Sequence, residues 1–131
     1  MAAGFRVSVV TPEREVLAAD ARFVALPAYD GEMGILPRRA PLLAQLGSGK
    51  LRVEEVGGAE RVLFVSGGFA QMVDERLTVL TEEAVEVSAI APAAAEEGLV
   101  TARALPATSD EAWRKRQRAY DRARALARLR H

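Results

Sequence analysis

The sequence predicts a mainly β chain with a helical end, and two observations carry that reading. Up to residue 87, apolar and polar residues alternate in short runs punctuated by glycine and by acidic turns, the spacing of an all-β sandwich or barrel. From Ser88 the pattern changes to alanine-rich segments with helical spacing. The 131 residues therefore divide into a β domain, residues 1–87, and a helical hairpin, residues 88–131.

Phe5-Arg6-Val7-Ser8-Val9-Val10 alternates and is rich in β-branched residues, so it reads as a half-buried strand stopped by Thr11-Pro12-Glu13. Glu15-Val16-Leu17 and Ala21–Leu26 read as the next two strands, with Phe23 and Ala25 on one face, Val24 and Leu26 on the other, and Pro27 as the stop. Residues 27–46, PAYDGEMGILPRRAPLLAQL, are the stretch around which the rest is organised: Asp30-Gly31 and Gly34 mark tight turns, and Pro37 and Pro41 each remove a backbone donor. Leu42–Leu46 is a short apolar strand, and Gly47-Ser48-Gly49 turns into a strand from Lys50 to Val56, whose slipped alternation predicts a bulge or strand end near Glu54-Glu55. Gly57-Gly58 predicts a two-residue hairpin turn. Arg61–Val65 is a strand buried on both faces, Ser66-Gly67-Gly68 breaks it, and Phe69–Val73 resumes. Asp74-Glu75 then turns into Leu77–Leu80, and Ala84–Val87 closes the sheet.

In the second part, Pro92 sits where a first helical turn tolerates it, ahead of Ala93-Ala94-Ala95-Glu96-Glu97. Leu105-Pro106-Ala107 is a break, and Thr108 with Glu111 forms a capping box for a second helix running toward His131. Two helices joined by a short loop pair as a hairpin. On the second, Ala112, Trp113, Ala119, Tyr120, Ala123, Leu126 and Ala127 share one face, while Arg114, Arg118, Arg122, Arg124 and Arg128 lie largely on the other; Trp113 reads as packing within the hairpin, with an interface anchor as the competing reading.

The chemistry of catalysis is thin. The one histidine is His131, there is no cysteine, and the usual general base and thiol nucleophile are missing. Ser66, preceded by Phe64-Val65, fails the nucleophile-elbow pattern. Gly47-Ser48-Gly49-Lys50 fails the phosphate-loop pattern, which needs glycine where Ala44 stands and a hydroxyl where Leu51 stands. The adjacent pairs Glu54-Glu55, Glu82-Glu83 and Glu96-Glu97 read as solvated surface, and no metal-ligand spacing occurs. No apolar run reaches the roughly 20 residues of a membrane span, and MAAGFRVSVV lacks the features of a signal peptide, so the expectation is a soluble, unexported chain. The formal charge of zero conceals an asymmetry. After Ser109 stand eight basic residues (Arg114, Lys115, Arg116, Arg118, Arg122, Arg124, Arg128, Arg130) against three acidic ones, leaving ten basic and fifteen acidic before it. Such a tail meets an acidic surface, its own or a partner's.

Gly31-Glu32-Met33-Gly34-Ile35-Leu36-Pro37 followed by Ala40-Pro41-Leu42 is similar to the epsilon subunit of bacterial F-type ATP synthase, called delta in mitochondria. Val10-Thr11-Pro12-Glu13, Gly49-Lys50-Leu51, Val65-Ser66-Gly67-Gly68-Phe69 and Leu77-Thr78-Val79-Leu80 follow in that family's order, so the resemblance covers residues 5 to about 87. It implies a flattened β-sandwich followed by an antiparallel helical hairpin. It also implies a non-catalytic part of the rotor's central stalk that binds the gamma subunit and sits on the ring of c subunits, helping couple proton flow to ATP synthesis. That place is peripheral, on the cytoplasmic face of the bacterial inner membrane, and needs no cofactor. By the resemblance, the loop carrying Glu32 and Met33 faces the polar loops of the c ring, with Arg38 and Arg39 beside it; Arg39 stands where many members have histidine. The resemblance further implies that the last helix, through Arg114, Arg118, Arg122, Arg124 and Arg128, meets acidic residues of the alpha and beta subunits and inhibits ATP hydrolysis. Some members bind ATP through an aspartate and an arginine at the start of the first helix; here Ala91 and Ala94 stand in those places, so no ATP site is expected. The competing reading is a nucleic-acid-binding β module that sets the arginine helix against phosphates; few aromatics accompany those arginines, and the body is acidic.

Overall fold

The longest strand of the β domain is β2 (Glu15–Ala28), 14 residues where the sequence suggested two strands. No glycine or proline interrupts Ala18-Ala19-Asp20, and β1 (Phe5–Val10) pairs antiparallel across that stretch, so the ladder runs through it. Pro27 stays inside β2, opposite Glu32, and its carbonyl accepts the Gly47 N–H at 2.9 Å. The computed structural model describes residues 4–129 and falls into two compact units that divide between Val87 and Ser88.

The remaining strands are β3 (Gly31–Ile35), β4 (Leu42–Gln45), β5 (Ser48–Glu55), β6 (Glu60–Ser66), β7 (Phe69–Val73), β8 (Arg76–Leu80) and β9 (Glu83–Glu86). They are hydrogen-bonded in the order β4-β7-β8-β1-β2-β5-β6-β9, with β3 added to β2; β1 and β8 are parallel and the other pairs antiparallel. β2 serves both layers. Its first half pairs with β1, and its second half with β3 and β5. Between Ala21 and Phe23 the β2/β5 register shifts by one residue, so the irregularity expected near Glu54-Glu55 lies on β2, opposite the end of β5. Because side chains alternate with period two, one inserted residue turns the inward face from odd to even positions. Leu17, Ala19 and Ala21 are buried before it, and Val24, Leu26 and Ala28 after it. The two halves close on one core with Phe5, Val7, Val9, Leu51, Val53, Leu63, Val65, Met72, Leu77 and Val79.

One turn differs from expectation. β5 and β6 are joined through four residues, Val56–Ala59, rather than a two-residue Gly57-Gly58 turn: Gly58 has a positive φ (99°) but Gly57 does not, whereas a type I′ turn needs both central residues positive and a type II′ turn the first. The turn expected at Asp74-Glu75 is a two-residue one, with both residues left-handed (φ 50° and 61°), a conformation costing roughly 1–2 kcal/mol for a non-glycine residue. Gly31–Ile35 is a strand rather than a loop. Gly34 lies flat under the Phe23 ring, which an added Cβ would meet at 2.9 Å, and on its other side that ring is capped by the Arg52 guanidinium, 5.3 Å from the centroid. Arg52 also bonds Glu54, whose carboxylate holds the guanidinium still more firmly in its charged form, and lies 3.5 Å from Glu60.

The second unit follows a single 3-10 turn, Val87–Ala89. Helix α1 (Ala94–Ala104) has Ala93 at its N-cap, placing Pro92 one residue ahead of the cap instead of in the first turn. Helix α2 (Asp110–Arg128) is capped by Ser109, whose hydroxyl accepts the Ala112 N–H at 3.0 Å. The capping box expected at Thr108 is therefore displaced by one residue, and Ala112 has no side chain to complete it. Arg130 and His131 lie outside the described residues.

Gly68 exposes the tightest packing in the β domain. Its φ is +99°, and a Cβ there would stand 1.9 Å from the Leu80 carbonyl oxygen and 2.8 Å from Thr81 Cα. Gly68→Ala should cost more than about 2 kcal/mol in urea unfolding, since left-handed strain and a backbone collision act together.

Candidate interaction surfaces

The β2–β3 hairpin presents the first surface. Tyr29 and Asp30 form its tip, Gly31 follows with φ +138°, and the Tyr29 N–H is anchored on the Gln45 carbonyl at 2.8 Å. Alternation along β3 settles where its side chains go: Glu32 is exposed, whereas Met33 is half-buried and packs against the core. Met33, grouped with Glu32 as a contact residue from the sequence, is thus turned inward. Arg38 and Arg39 are exposed in the segment between β3 and β4, and the Arg38 N–H donates to the Glu75 carboxylate at 2.7 Å. The structure adds two residues that sequence reasoning passed over: Tyr29, 74% exposed at the tip, and Glu75, which fixes Arg38.

The second surface is α2. Counting about 100° per residue, Arg114, Arg118 and Arg128 fall within an arc of roughly 80°. All three are exposed, and none makes an ion pair or ring contact among the described residues. The other arginines are engaged inside the hairpin. Arg124 bonds Asp121 at 3.3 Å and lies over the Tyr120 ring, and Arg116 reaches the Ala102 carbonyl at 3.4 Å while packing on the same ring. Arg122 is half-buried, with its guanidinium close to Gly98 of α1. On the apolar side, Ala123 and Leu126 are buried as the spacing requires, but Trp113 is 52% exposed rather than packed in the hairpin, Ala127 is exposed, and Ala125 is buried. Trp113 lies in the first turn of α2, too near the interhelix loop for α1 to cover it.

Neither surface assembles a nucleophile with a base, and no cluster of three potential metal ligands occurs among the described residues. Among the described residues, no helix is long and apolar enough to cross a membrane. Ala91 is in the turn before α1, with its carbonyl accepting the Ala94 N–H at 3.0 Å, so neither residue offers a side chain to a nucleotide.

A β-sandwich that carries charged loops, followed by a helical hairpin with a basic face, defines a subunit that works by contact. The chain belongs to the epsilon-subunit family of F-type ATP synthase, as a non-catalytic chain of the central stalk. The family model for the "ATP synthase, Delta/Epsilon chain, beta-sandwich domain" matches residues 4–87. The ATP synthase epsilon chain of Rhodopirellula baltica is 43% identical over 123 residues, 94% of this chain and 95% of that protein. The epsilon chain of Granulibacter bethesdensis is 38% identical over 105 residues, 80% of this chain and 78% of that one. Among solved structures, a chain of the Euglena gracilis mitochondrial ATP synthase (OSCP/F1/c-ring) superposes with a TM-score of 0.83 at 25% identity, covering 98% of this chain and 82% of its own. A chain of the Tetrahymena thermophila mitochondrial central stalk and c ring has the same fold, with a TM-score of 0.77 and 96% of each chain covered. These relatives lend the nucleic-acid reading no support.

The hairpin that displays the arginines depends on close approach at Gly98, where an added Cβ would lie 3.2 Å from Ala123 Cβ. Gly98→Leu should separate α1 from α2 and destabilise the hairpin by about 1–3 kcal/mol. Amide exchange should accelerate throughout 94–128 and stay unchanged in the β strands; uniform acceleration in both units would contradict this.

Proposed function

We propose that this chain binds the gamma subunit and rests on the c-subunit ring of a proton-translocating synthase, peripheral to the cytoplasmic face of a bacterial inner membrane. There it helps couple ring rotation to ATP synthesis. Exposed Glu32, Arg38 and Arg39 suit contact with the polar loops of the ring, because a carboxylate and two guanidiniums on adjacent short segments can each pair with an opposite charge. Met33 supports that surface from beneath.

The same reading gives α2 an inhibitory role against acidic residues of the alpha and beta subunits. The observation that carries it is the exposed stripe of Arg114, Arg118 and Arg128, whose charges find no acid among the described residues. Arg122 and Arg124 flank that stripe while already engaged in the hairpin, so they contribute less to a contact outside it. In the assembled complex, ATPase rates with and without residues 88–131 test the role: removal should raise hydrolysis severalfold, and Arg114→Glu, Arg118→Glu and Arg128→Glu together should do the same while the helix persists by circular dichroism. Equal rates in all three would eliminate inhibition by this tail.

Regulation by nucleotide is absent from this reading. With Ala91 and Ala94 where a carboxylate and a guanidinium would be required, titration calorimetry of the full chain should show no saturable ATP binding at millimolar concentrations; a defined isotherm would overturn it.

A further inference from the structure

Glu75 occupies a place that its residue type resists. It is the second residue of the two-residue β7–β8 turn, with φ +61°, where glycine is the residue of choice. Its carbonyl and one carboxylate oxygen each accept from another segment. Its carbonyl accepts the Arg6 N–H at the start of β1 (2.9 Å), and its carboxylate accepts the Arg38 N–H (2.7 Å) across 37 residues of sequence. Arg38 is itself left-handed, with φ +65°. Pro37 and Pro41 bring no N–H to the segment between β3 and β4. The Glu75 carboxylate, by a charge-assisted hydrogen bond, therefore ties the corner of that segment to the β7–β8 turn while leaving the Arg38 and Arg39 side chains exposed.

We propose that Glu75 is a positioning residue: by holding the Arg38 N–H it fixes the backbone from which Arg38 and Arg39 are presented to the c-subunit ring. This rests on the ring contact proposed above. Glycine at 75 accepts the left-handed turn more readily but has no carboxylate, so fold and positioning separate in one substitution.

The experiment uses the full chain with E75G and E75Q, alone and reassembled into the whole synthase. E75G should leave the denaturation midpoint unchanged or raised, yet accelerate amide exchange at Arg38 at least tenfold. In the complex it should lower ATP-driven proton pumping to the level of the R38A/R39A double variant and add nothing in that background. E75Q, whose amide oxygen also accepts, should restore both readouts to near the parent values. Unchanged Arg38 exchange in E75G would overturn the clamp. So would a further pumping loss when E75G is added to R38A/R39A, since Glu75 would then act by another route. Normal pumping in R38A/R39A itself would remove the ring contact, and the proposal with it, whatever the exchange result.

Discussion

One inserted residue on β2 is the constraint on which the β domain depends. β2 has to supply Leu17, Ala19 and Ala21 to the core in one half and Val24, Leu26 and Ala28 in the other, two sets of opposite parity that unbroken alternation would put on opposite faces. The shift between Ala21 and Phe23 reverses the parity where the pairing partner changes from β1 to β3 and β5. Without it, Val24 and Leu26 would face solvent, and each of these side chains is worth roughly 1.5–3 kcal/mol when buried. Phe23, displaced outward by the same shift, is covered by Arg52 on one side and laid on Gly34 on the other. The glycine that looks like a turn residue is thus a consequence of the bulge: with a side chain at 34, the ring would lose its seat.

Surface charge contributes little to holding this domain together. Arg6 with Asp20 at 3.4 Å and Arg22 with Glu54 at 3.6 Å are exposed pairs, each worth about 0–1 kcal/mol. Their arrangement still matters for recognition. Glu54 and Glu60 are occupied by Arg52, and Glu86 by Arg61, so acids of the β5–β6–β9 face are largely neutralised locally. Exposed Glu32, Arg38 and Arg39, by contrast, form no ion pair among the described residues and remain available to a partner.

Most strands were legible in the sequence because alternation reports burial directly, as at Phe5-Val7-Val9 and at Leu77-Val79. What was not legible arose from pairing at a distance. β2 looked like two strands because Ala18-Ala19-Asp20 has low β propensity, and only the pairing of that stretch with Arg6–Ser8 of β1 carries the strand through it. β3 looked like a loop because its two glycines lower β propensity, and only the facing Val24–Ala28 segment makes it a strand. The helix start was off by one because Thr108 and Ser109 offer the same hydroxyl chemistry, and backbone geometry chose between them: Ser109 is extended, at φ −142° and ψ 167°. On the candidate surfaces, the charges themselves were readable, but the inward turn of Met33 follows only once β3 is a strand. The role of Glu75 could not be read, since its partner lies 37 residues away.

The helical unit shows how little apolar area a defined structure can use. Among the described residues its buried side chains are Ala102, Ala123, Ala125 and Leu126, and an alanine methyl contributes on the order of 0.8 kcal/mol, the value of one buried carbon. Gly98 makes up for that scarcity by letting the two backbones approach, which increases contact without adding side-chain area. Arg116, bonded to the Ala102 carbonyl and stacked on Tyr120, adds a polar strut of modest strength. A pairing assembled from such small terms has a shallow free-energy minimum, and the energy needed to rearrange it is comparable with what a few charge-assisted contacts supply. The arginine stripe is therefore carried by the element of the chain whose packing a partner can most easily outweigh, which is the energetic requirement for the inhibitory contact proposed above.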